Sequence, residues 1–200
     1  GYHLSSLGRQ MAEQVADVLS ASGHDIAAVI TSPLERARES GAPTAAAFGL
    51  TPRTDVRLIE AGNHFEGIPV NRNRWVLAHP EHWRYYLNPL RPSWGESYAE
   101  LVERVSGAVR DAIEPVEGRE ALLVSHQLPV WATRLWLEGR PLVHDPRHRQ
   151  CSLASLTSLT FDDRTLVGLS YWEPACDLLR RAEDMVPGTS AAAEATGRVT

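Results

Sequence analysis

Residues 26–37, with the sequence IAAVITSPLERA, form the stretch on which the prediction of the fold depends. The apolar run at residues 26–30 is short, which favours a buried parallel strand over a helix. Serine is a good helix N-cap and proline is tolerated at the first helical position, so Ser32 and Pro33 predict a helix that runs toward Ala47. A strand that leads directly into a helix is the repeating unit of an α/β fold.

The same alternation of strands and helices continues on both sides of this unit. Apolar residues at the spacing of an amphipathic helix predict further helices at residues 4–23, 98–113 and 129–137. Short apolar or alternating runs predict strands at residues 56–60 and 121–125, and an antiparallel hairpin of residues 153–161 with 166–171. We therefore predict an α/β three-layer sandwich with a mostly parallel sheet flanked by helices.

The composition is that of a soluble globular protein and excludes several classes of function. The 200 residues are 43% hydrophobic and 22% charged, with a formal net charge of −5. This acidic balance argues against a general nucleic-acid binder, and no run approaches the ~18 apolar residues that a membrane span requires. Cys151 and Cys176 form neither a disulfide framework nor a zinc pattern, so we predict a cytoplasmic protein.

Residues 68–95 differ in composition from the predicted core. They combine tryptophans, tyrosines and arginines with four prolines, and the prolines interrupt any long regular element. A long segment of this kind is typical of a lid or a binding loop. We predict a substrate lid in which Arg72, Arg74, Trp83 and Arg84 contact the substrate; the alternative, that the tryptophans simply pack the lid on the core, stays open.

The two ends of the sequence lead to one further prediction each. Residue 1 is glycine and the first helical pattern begins almost at once, so we expect the native protein to continue upstream. Residues 179–200 lead into a stretch of small and polar side chains with little to bury, which predicts a disordered tail. The folded domain is accordingly predicted at residues 1–178.

Three residues that could carry chemistry follow predicted strands. Arg36 lies in the first turn of the helix after residues 26–30, Glu60 ends the next strand, and His126 directly follows residues 121–125. Ligands of open α/β sheets bind beyond the carboxyl ends of the strands. Each residue alone has an ordinary structural explanation, as a surface ion pair, a solvated glutamate or a helix cap. Together they predict an anion site with an acid catalyst, which fits phosphoryl chemistry.

Other catalytic classes lack their motifs in this sequence. Neither cysteine is followed by arginine six positions later, as a cysteine phosphatase requires, and there is no glycine-rich phosphate loop. Ser125 does not lie in a Gly-x-Ser-x-Gly motif. The pairs His79 with His82 and His144 with His148 lie in proline-containing stretches without a third ligand, so no metal site is predicted.

Five short motifs resemble those of the histidine phosphatase superfamily (phosphoglycerate-mutase-like) and occur in the family's order. They are LSSLGRQMA at residues 4–12, SPLERA at 32–37, LIE at 58–60 followed by FEG at 65–67, GES at 95–97 and VSH at 124–126. The resemblance covers about residues 4 to 172. It implies that Arg36 binds the phosphoryl group, that Glu60 is the proton donor, and that His126 is the second catalytic histidine, which also contacts the phosphate.

The sequence departs from the family pattern in two places that matter for catalysis. The family's first motif, Arg-His-Gly, supplies the nucleophilic histidine at the end of a central strand upstream of Leu4, and it is absent here. Arg147-His148 does not replace it, because no apolar strand precedes this pair and Pro146 disrupts regular structure. Gln127 stands where the family has glycine after its second histidine. We expect the missing strand upstream of residue 1 and the chain as given to be inactive.

The resemblance implies a phosphomonoesterase that needs neither a metal nor a cofactor. The upstream histidine would attack phosphorus, Glu60 would protonate the leaving oxygen, and Arg36 and His126 would stabilise the phosphoryl oxygens. Two alternatives remain: a phosphoglycerate-mutase-type phosphotransferase, and a non-catalytic member that binds phosphorylated ligands or a protein partner. The expected partner is a small-molecule phosphomonoester, with no nucleic acid and no membrane; the oligomeric state stays open.

Overall fold

The computed structural model describes residues 2–61, 96–145 and 148–182. Its helices are α1 (Ser6–Ala21), α2 (Glu35–Ala47), α3 (Tyr98–Ile113), α4 (Gln127–Leu137) and α5 (Cys176–Leu179). Its strands are β1 (Ile26–Thr31), β2 (Arg53–Thr54), β3 (Glu120–Val124), β4 (Leu156–Asp162) and β5 (Thr165–Trp172). Two short 3-10 helices, Val56–Leu58 and Glu114–Val116, connect these elements. Among the described residues, no helix is long and apolar enough to cross a membrane.

The first three strands form a parallel sheet with the order β2-β1-β3. Thr31 of β1 lies beside Val124 of β3, so the two strands end at the same level. The backbone N–H of Ser32 extends this pairing by donating to the carbonyl of Val124 at 2.8 Å. The residues that follow β1 and β3 are therefore neighbours at one edge of the sheet.

Helices pack on both faces of the parallel sheet, as the alternation in the sequence predicted. Ile30 and Leu123 point into the core formed by α3 and α4, where Leu101 is fully buried. Val29 and Leu122 point to the opposite face and pack against Ala45 of α2. Because successive strand residues face opposite sides, these contacts define the predicted three-layer α/β arrangement.

Strand β3 has one unpaired edge within the part of the chain that the structure describes. It pairs with β1 on one side, whereas β4 and β5 pair with each other in a separate antiparallel sheet. Residues 121–124 are apolar but only half-buried. Apolar strands of parallel sheets are usually interior strands with neighbours on both sides.

The start of α2 differs from the prediction. The helix begins at Glu35 with Leu34 as its N-cap and no side-chain capping bond, not at Ser32 and Pro33. Ser32 still belongs to the sheet through its backbone N–H, and its fully buried hydroxyl lies 2.8 Å from the imidazole of His126. Ser32 therefore makes its hydrogen bonds at the end of β1 and does not cap α2.

The strand predicted at residues 56–60 is wrong. The pairing strand is β2, and the chain then turns into the 3-10 helix Val56–Leu58. The carboxylate of Asp55 accepts hydrogen bonds from the backbone N–H and the guanidinium of Arg57. A side chain that bonds the backbone two residues ahead favours a turn over an extended strand.

The ordered packing extends past the predicted boundary of the domain at residue 178. Leu179 and Ala182 are both buried, in a cluster with Met11 of α1. The predicted lid at residues 68–95 and the remainder of the predicted tail, residues 183–200, lie outside the described residues.

Candidate active site

The predicted site residues Arg36, Glu60 and His126 come together at the carboxyl end of the parallel sheet. Arg36 is the second residue of α2, and His126 immediately precedes α4. Glu60 follows the 3-10 helix that begins after β2. The positive charge of Arg36 acts on both Glu60 and His126, so the three side chains share one electrostatic site. The predicted lid contacts Arg72, Arg74, Trp83 and Arg84 lie outside the described residues.

His126 is held as a neutral imidazole. Burial, assisted by the nearby charges of Arg36 and Arg104, lowers its pKa from 6.5 to about 4. Its Nε2 lies 2.8 Å from the hydroxyl oxygen of Ser32. A neutral histidine that feels the charges of two guanidinium groups can offer a hydrogen bond to an anion bound there.

The depressed pKa of His126 predicts a loss of stability in acid. Between pH 6.5 and about 4 the unfolded chain binds a proton that the folded protein does not, so the free energy of unfolding falls as the pH falls. We expect His126 to account for about 1–3 kcal/mol of this fall, allowing for its partial exposure. Denaturant unfolding at pH 7 and at pH 4 should show a smaller loss for His126→Gln than for the wild type.

The exposed His148 supplies the matched control for this measurement. His148→Gln should lose as much stability in acid as the wild type does, because that side chain is 69% exposed. An equal acid loss in His126→Gln and wild type would contradict the neutral imidazole.

Glu60 is a half-buried carboxyl group whose proton is retained more strongly than usual. Burial raises its pKa, opposed by a hydrogen bond from the N–H of Ala61 at 3.0 Å and by the charges of Arg149, Arg36 and Arg104. Desolvation dominates over these opposing contributions. A carboxyl group with a raised pKa can deliver its proton near neutral pH, as a general acid must.

Two side chains that the sequence did not single out position the segment that carries Glu60. The Ser125 hydroxyl donates to the carbonyl of Leu58 at 2.7 Å, and the Arg104 guanidinium donates to the carbonyl of Arg57. Arg104 is itself held by both oxygens of Glu96, at 2.6 and 2.8 Å. The carbonyls of Arg57 and Leu58, which precede Glu60, are thus fixed by a residue of α3 and by the residue that follows β3.

Among the described residues, Arg36 does not form the surface ion pair that was the alternative explanation for its position. The carboxylate of Glu39 instead accepts from the imidazole of His3 at 2.5 Å and from the N–H of Leu4 at 2.7 Å. Glu35 pairs with Arg38. Within the described ranges, no side chain or carbonyl accepts a hydrogen bond from the half-buried Arg36 guanidinium.

A third arginine, Arg149, enters the site from the loop before β4. Its Nε donates to Nε2 of His144 at 2.9 Å, and its Nη1 donates to the side-chain oxygen of Gln127 at 3.2 Å. Among the neighbouring cations it exerts the largest charge effect on Glu60. No pattern in the sequence marks Arg149, since its partners come from two separate segments.

One group of side chains in the described part of the chain has donors spaced for a metal ion. It consists of His3, Glu35 and Glu39, whose ligand atoms lie within 4.8 Å of one another. His3 is exposed, and Glu39 is already hydrogen-bonded to His3 and to the backbone of Leu4. These bonds account for the arrangement without an ion.

The arginines, the protonatable carboxyl group and the neutral histidine at the carboxyl end of this parallel sheet are groups suited to binding a phosphoryl anion. The chain belongs to the histidine phosphatase superfamily (branch 1), whose family model matches residues 1–173. This match confirms the resemblance inferred from the five sequence motifs.

Two relatives support this membership. Rv0525 of Mycobacterium tuberculosis, itself described as uncharacterized, is 47% identical over 175 residues, which cover 88% of this chain and 86% of the relative. A probable phosphoglycerate mutase, GpmB of Yersinia enterocolitica, is 32% identical over 159 residues, which cover 76% of this chain and 71% of the relative.

Solved structures show the same fold. The native structure of mycobacterial glucosyl-3-phosphoglycerate phosphatase Rv2419c aligns with a TM-score of 0.63 at 23% identity, covering 86% of this chain and 88% of that one. YhfR of Bacillus stearothermophilus aligns with a TM-score of 0.62 at 26% identity, covering 82% and 81%. The predicted α/β fold class is thereby confirmed.

Proposed function

We propose that the protein is a phosphomonoesterase that acts through a phosphohistidine intermediate, with its nucleophilic histidine upstream of residue 1. The observation that carries the proposal is a group of three side chains at the carboxyl end of the parallel sheet: Glu60 with its raised pKa, a neutral His126, and Arg36, whose guanidinium has no acceptor among the described residues. Its substrate is a small-molecule phosphomonoester, and its chemistry requires no metal or cofactor.

In the first half-reaction, the nucleophilic imidazole nitrogen forms a bond to phosphorus while the ester P–O bond breaks. The electron pair of that bond passes to the leaving oxygen, which takes the proton of Glu60. Arg36 binds the phosphoryl oxygens through its planar fork, and His126 adds a hydrogen bond. The product alcohol then leaves.

In the second half-reaction, the Glu60 carboxylate takes a proton from water. The water oxygen attacks phosphorus, the N–P bond breaks, and its electron pair returns to the imidazole. Inorganic phosphate is released, and Glu60 is protonated for the next cycle. One carboxyl group thus serves as acid and then as base.

The open edge of β3 supports the proposal that a strand upstream of residue 1 completes the sheet. The half-buried apolar residues 121–124 lack a second neighbour among the described residues. A strand placed there would end beside His126, because strands of a parallel sheet carry their functional residues at the same end. The proposed nucleophile would then face Glu60, and the chain as given would have no activity of its own.

The predicted lid remains part of the proposal. Residues 68–95 would cover the site, with Arg72, Arg74, Trp83 and Arg84 as substrate contacts. The described residues on either side of this segment belong to the site region: the N–H of Ala61 donates to Glu60, and Glu96 holds Arg104.

The experiment that tests the function compares this chain with the same chain extended upstream by ~30–40 residues, enough for a first βα unit. Hydrolysis of an aryl phosphate is measured without added metal, and acid-labile phosphohistidine is trapped. We expect turnover and trapping in the extended form only. A folded, extended protein that neither hydrolyses the ester nor traps phosphate would contradict the proposal, and transfer to a second alcohol in place of water would identify a phosphotransferase.

A further inference from the structure

Ser32 and His126 are held side by side by the ends of two paired strands. The backbone N–H of Ser32 donates to the carbonyl of Val124, the last residue of β3. His126 follows in an extended conformation as the N-cap residue of α4, but its imidazole makes no capping hydrogen bond. Its carbonyl accepts from the N–H of Val130. The backbone thus fixes the position of both side chains, and the helix does not use the histidine ring.

The hydroxyl proton of Ser32 has one acceptor among the described residues. The Ser32 side chain is fully buried, and its oxygen lies 3.4 Å from the backbone N–H group of Leu34 and 2.8 Å from Nε2 of His126. The N–H of Leu34 can only donate, whereas an imidazole nitrogen can accept. Leaving a buried hydroxyl proton without an acceptor would cost free energy. Ser32 therefore donates to His126, and Nε2 is the unprotonated nitrogen of the ring.

A neutral imidazole whose Nε2 accepts must carry its proton on Nδ1. Burial and the nearby arginine charges lower the pKa of His126 to about 4, so the ring holds a single proton at neutral pH. Which nitrogen bears that proton is set by the hydrogen bond that the other nitrogen makes. Nδ1 has no hydrogen-bond partner in the part of the chain that the structure describes. Its N–H is therefore a donor beside the positive charges of Arg36 and Arg104.

The opposite tautomer would make His126 unsuited to an anion. Ser32 occupies Nε2, so Nδ1 is the ring nitrogen that a ligand can bind. With the proton on Nε2, Nδ1 would present a lone pair, which repels phosphoryl oxygens. The buried Ser32 proton would also lose its acceptor. The hydrogen bond between the two side chains therefore decides whether the ring attracts or repels an anion.

We propose that Ser32 is a positioning residue whose hydroxyl holds His126 in the Nδ1–H tautomer, so that the ring donates a hydrogen bond to the phosphoryl group. This inference rests on the proposed phosphomonoesterase and adds to it a residue that acts only through His126. Ser32 itself makes no contact with the substrate in this account. The sequence suggested a helix cap at this serine, whereas its buried hydroxyl serves the histidine.

The tautomer is measured by nitrogen NMR of the histidine rings in the isotope-labelled, upstream-extended protein at pH 7. Protonated and unprotonated ring nitrogens resonate at well-separated frequencies, and the signal that disappears in His126→Gln identifies this residue. We expect the proton on Nδ1 in the wild type and partly or wholly on Nε2 in Ser32→Ala. The same variant should lose about three- to tenfold in kcat/KM and in its affinity for inorganic phosphate, the effect of one hydrogen bond.

Ser106→Ala is the matched control, because it also removes a buried serine hydroxyl, one in α3 without a hydrogen-bond partner among the described residues. It should keep both the wild-type tautomer and the wild-type kinetics. A proton on Nε2 in the wild type overturns the inference, and this measurement does not depend on whether any variant folds. An unchanged tautomer in Ser32→Ala overturns it as well, and so does a changed tautomer with wild-type kinetics. Inactivity of the wild type on every ester would instead overturn the proposed function, while the tautomers of wild type and Ser32→Ala would still decide whether Ser32 sets the ring.

Discussion

Replacing Glu60 by glutamine is expected to lower kcat for esters of poorly acidic alcohols by ~10²–10⁴-fold, the usual contribution of a general acid. Glutamine keeps the shape of the side chain but has no proton to give. For 4-nitrophenyl phosphate, whose leaving group needs little protonation, the first half-reaction should be affected far less. Single-turnover rates for an alkyl and a nitrophenyl ester, measured with the upstream-extended protein, check this difference.

The same substitution is expected to stabilise the fold at pH 7. The pKa of Glu60 is raised in the folded protein, so above the pKa of the unfolded chain the folded state loses stability as the pH rises. Glu60→Gln removes this penalty, and its free energy of unfolding should exceed that of the wild type at pH 7. Glu103→Gln, on the exposed face of α3, is the control and should change neither property. Equal rate losses on both leaving groups would mean that Glu60 only supports the structure.

Replacing Arg36 by alanine is expected to lower kcat/KM by ~10²–10³-fold, the cost of removing one preorganised donor from a developing charge. The reason is geometric as well as electrostatic, since the guanidinium has no competing acceptor among the described residues and a planar fork fits two phosphoryl oxygens. Arg36→Lys should recover only part of the activity, because an ammonium group lacks that fork. Steady-state measurements on Arg36→Ala should show kcat/KM falling and inhibition by inorganic phosphate becoming weaker together.

Arg38 provides the internal comparison for Arg36. It lies two residues further along α2, is 55% exposed and pairs with Glu35. Arg38→Ala should therefore retain wild-type kinetics and wild-type inhibition by phosphate. A loss of activity in Arg36→Ala with undiminished phosphate inhibition would place Arg36 outside the phosphoryl site.

The sequence predicted most elements because their signals are local. The helix at residues 98–113 was located to the residue from its amphipathic spacing, and the structure shows that Ser97 and Glu100 form a capping box at its start. The strand wrongly predicted at residues 56–60 also has a local cause, but the spacing of apolar residues does not reveal it. Apolar alternation there suggested a strand, whereas the Asp55 carboxylate bonds the backbone of Arg57 and turns the chain.

The candidate site could be predicted only in part. Arg36 and His126 follow strands that the structure contains, so the rule that ligands bind beyond strand ends was enough to group them. Glu60 was added through a strand at residues 56–60 that is a 3-10 turn in the structure. Arg104, Ser125 and Arg149 act through partners on other elements, and no spacing in the chain encodes those distances. The replacement of glycine by Gln127 was visible as a departure, but its bond to Arg149 was not.

The pairing of β1 with β3 has a consequence for how the protein folds and diversifies. Ser32 and His126 touch although 94 positions separate them, so the site forms only when a long loop closes, and slow folding is expected. Loop-closure entropy grows only with the logarithm of length. Deleting the ~28 residues of the predicted lid would change this cost by about 0.3 kcal/mol. Evolution could thus lengthen, shorten or exchange that insertion, and with it the choice of substrate, while the strand ends keep the chemistry in place.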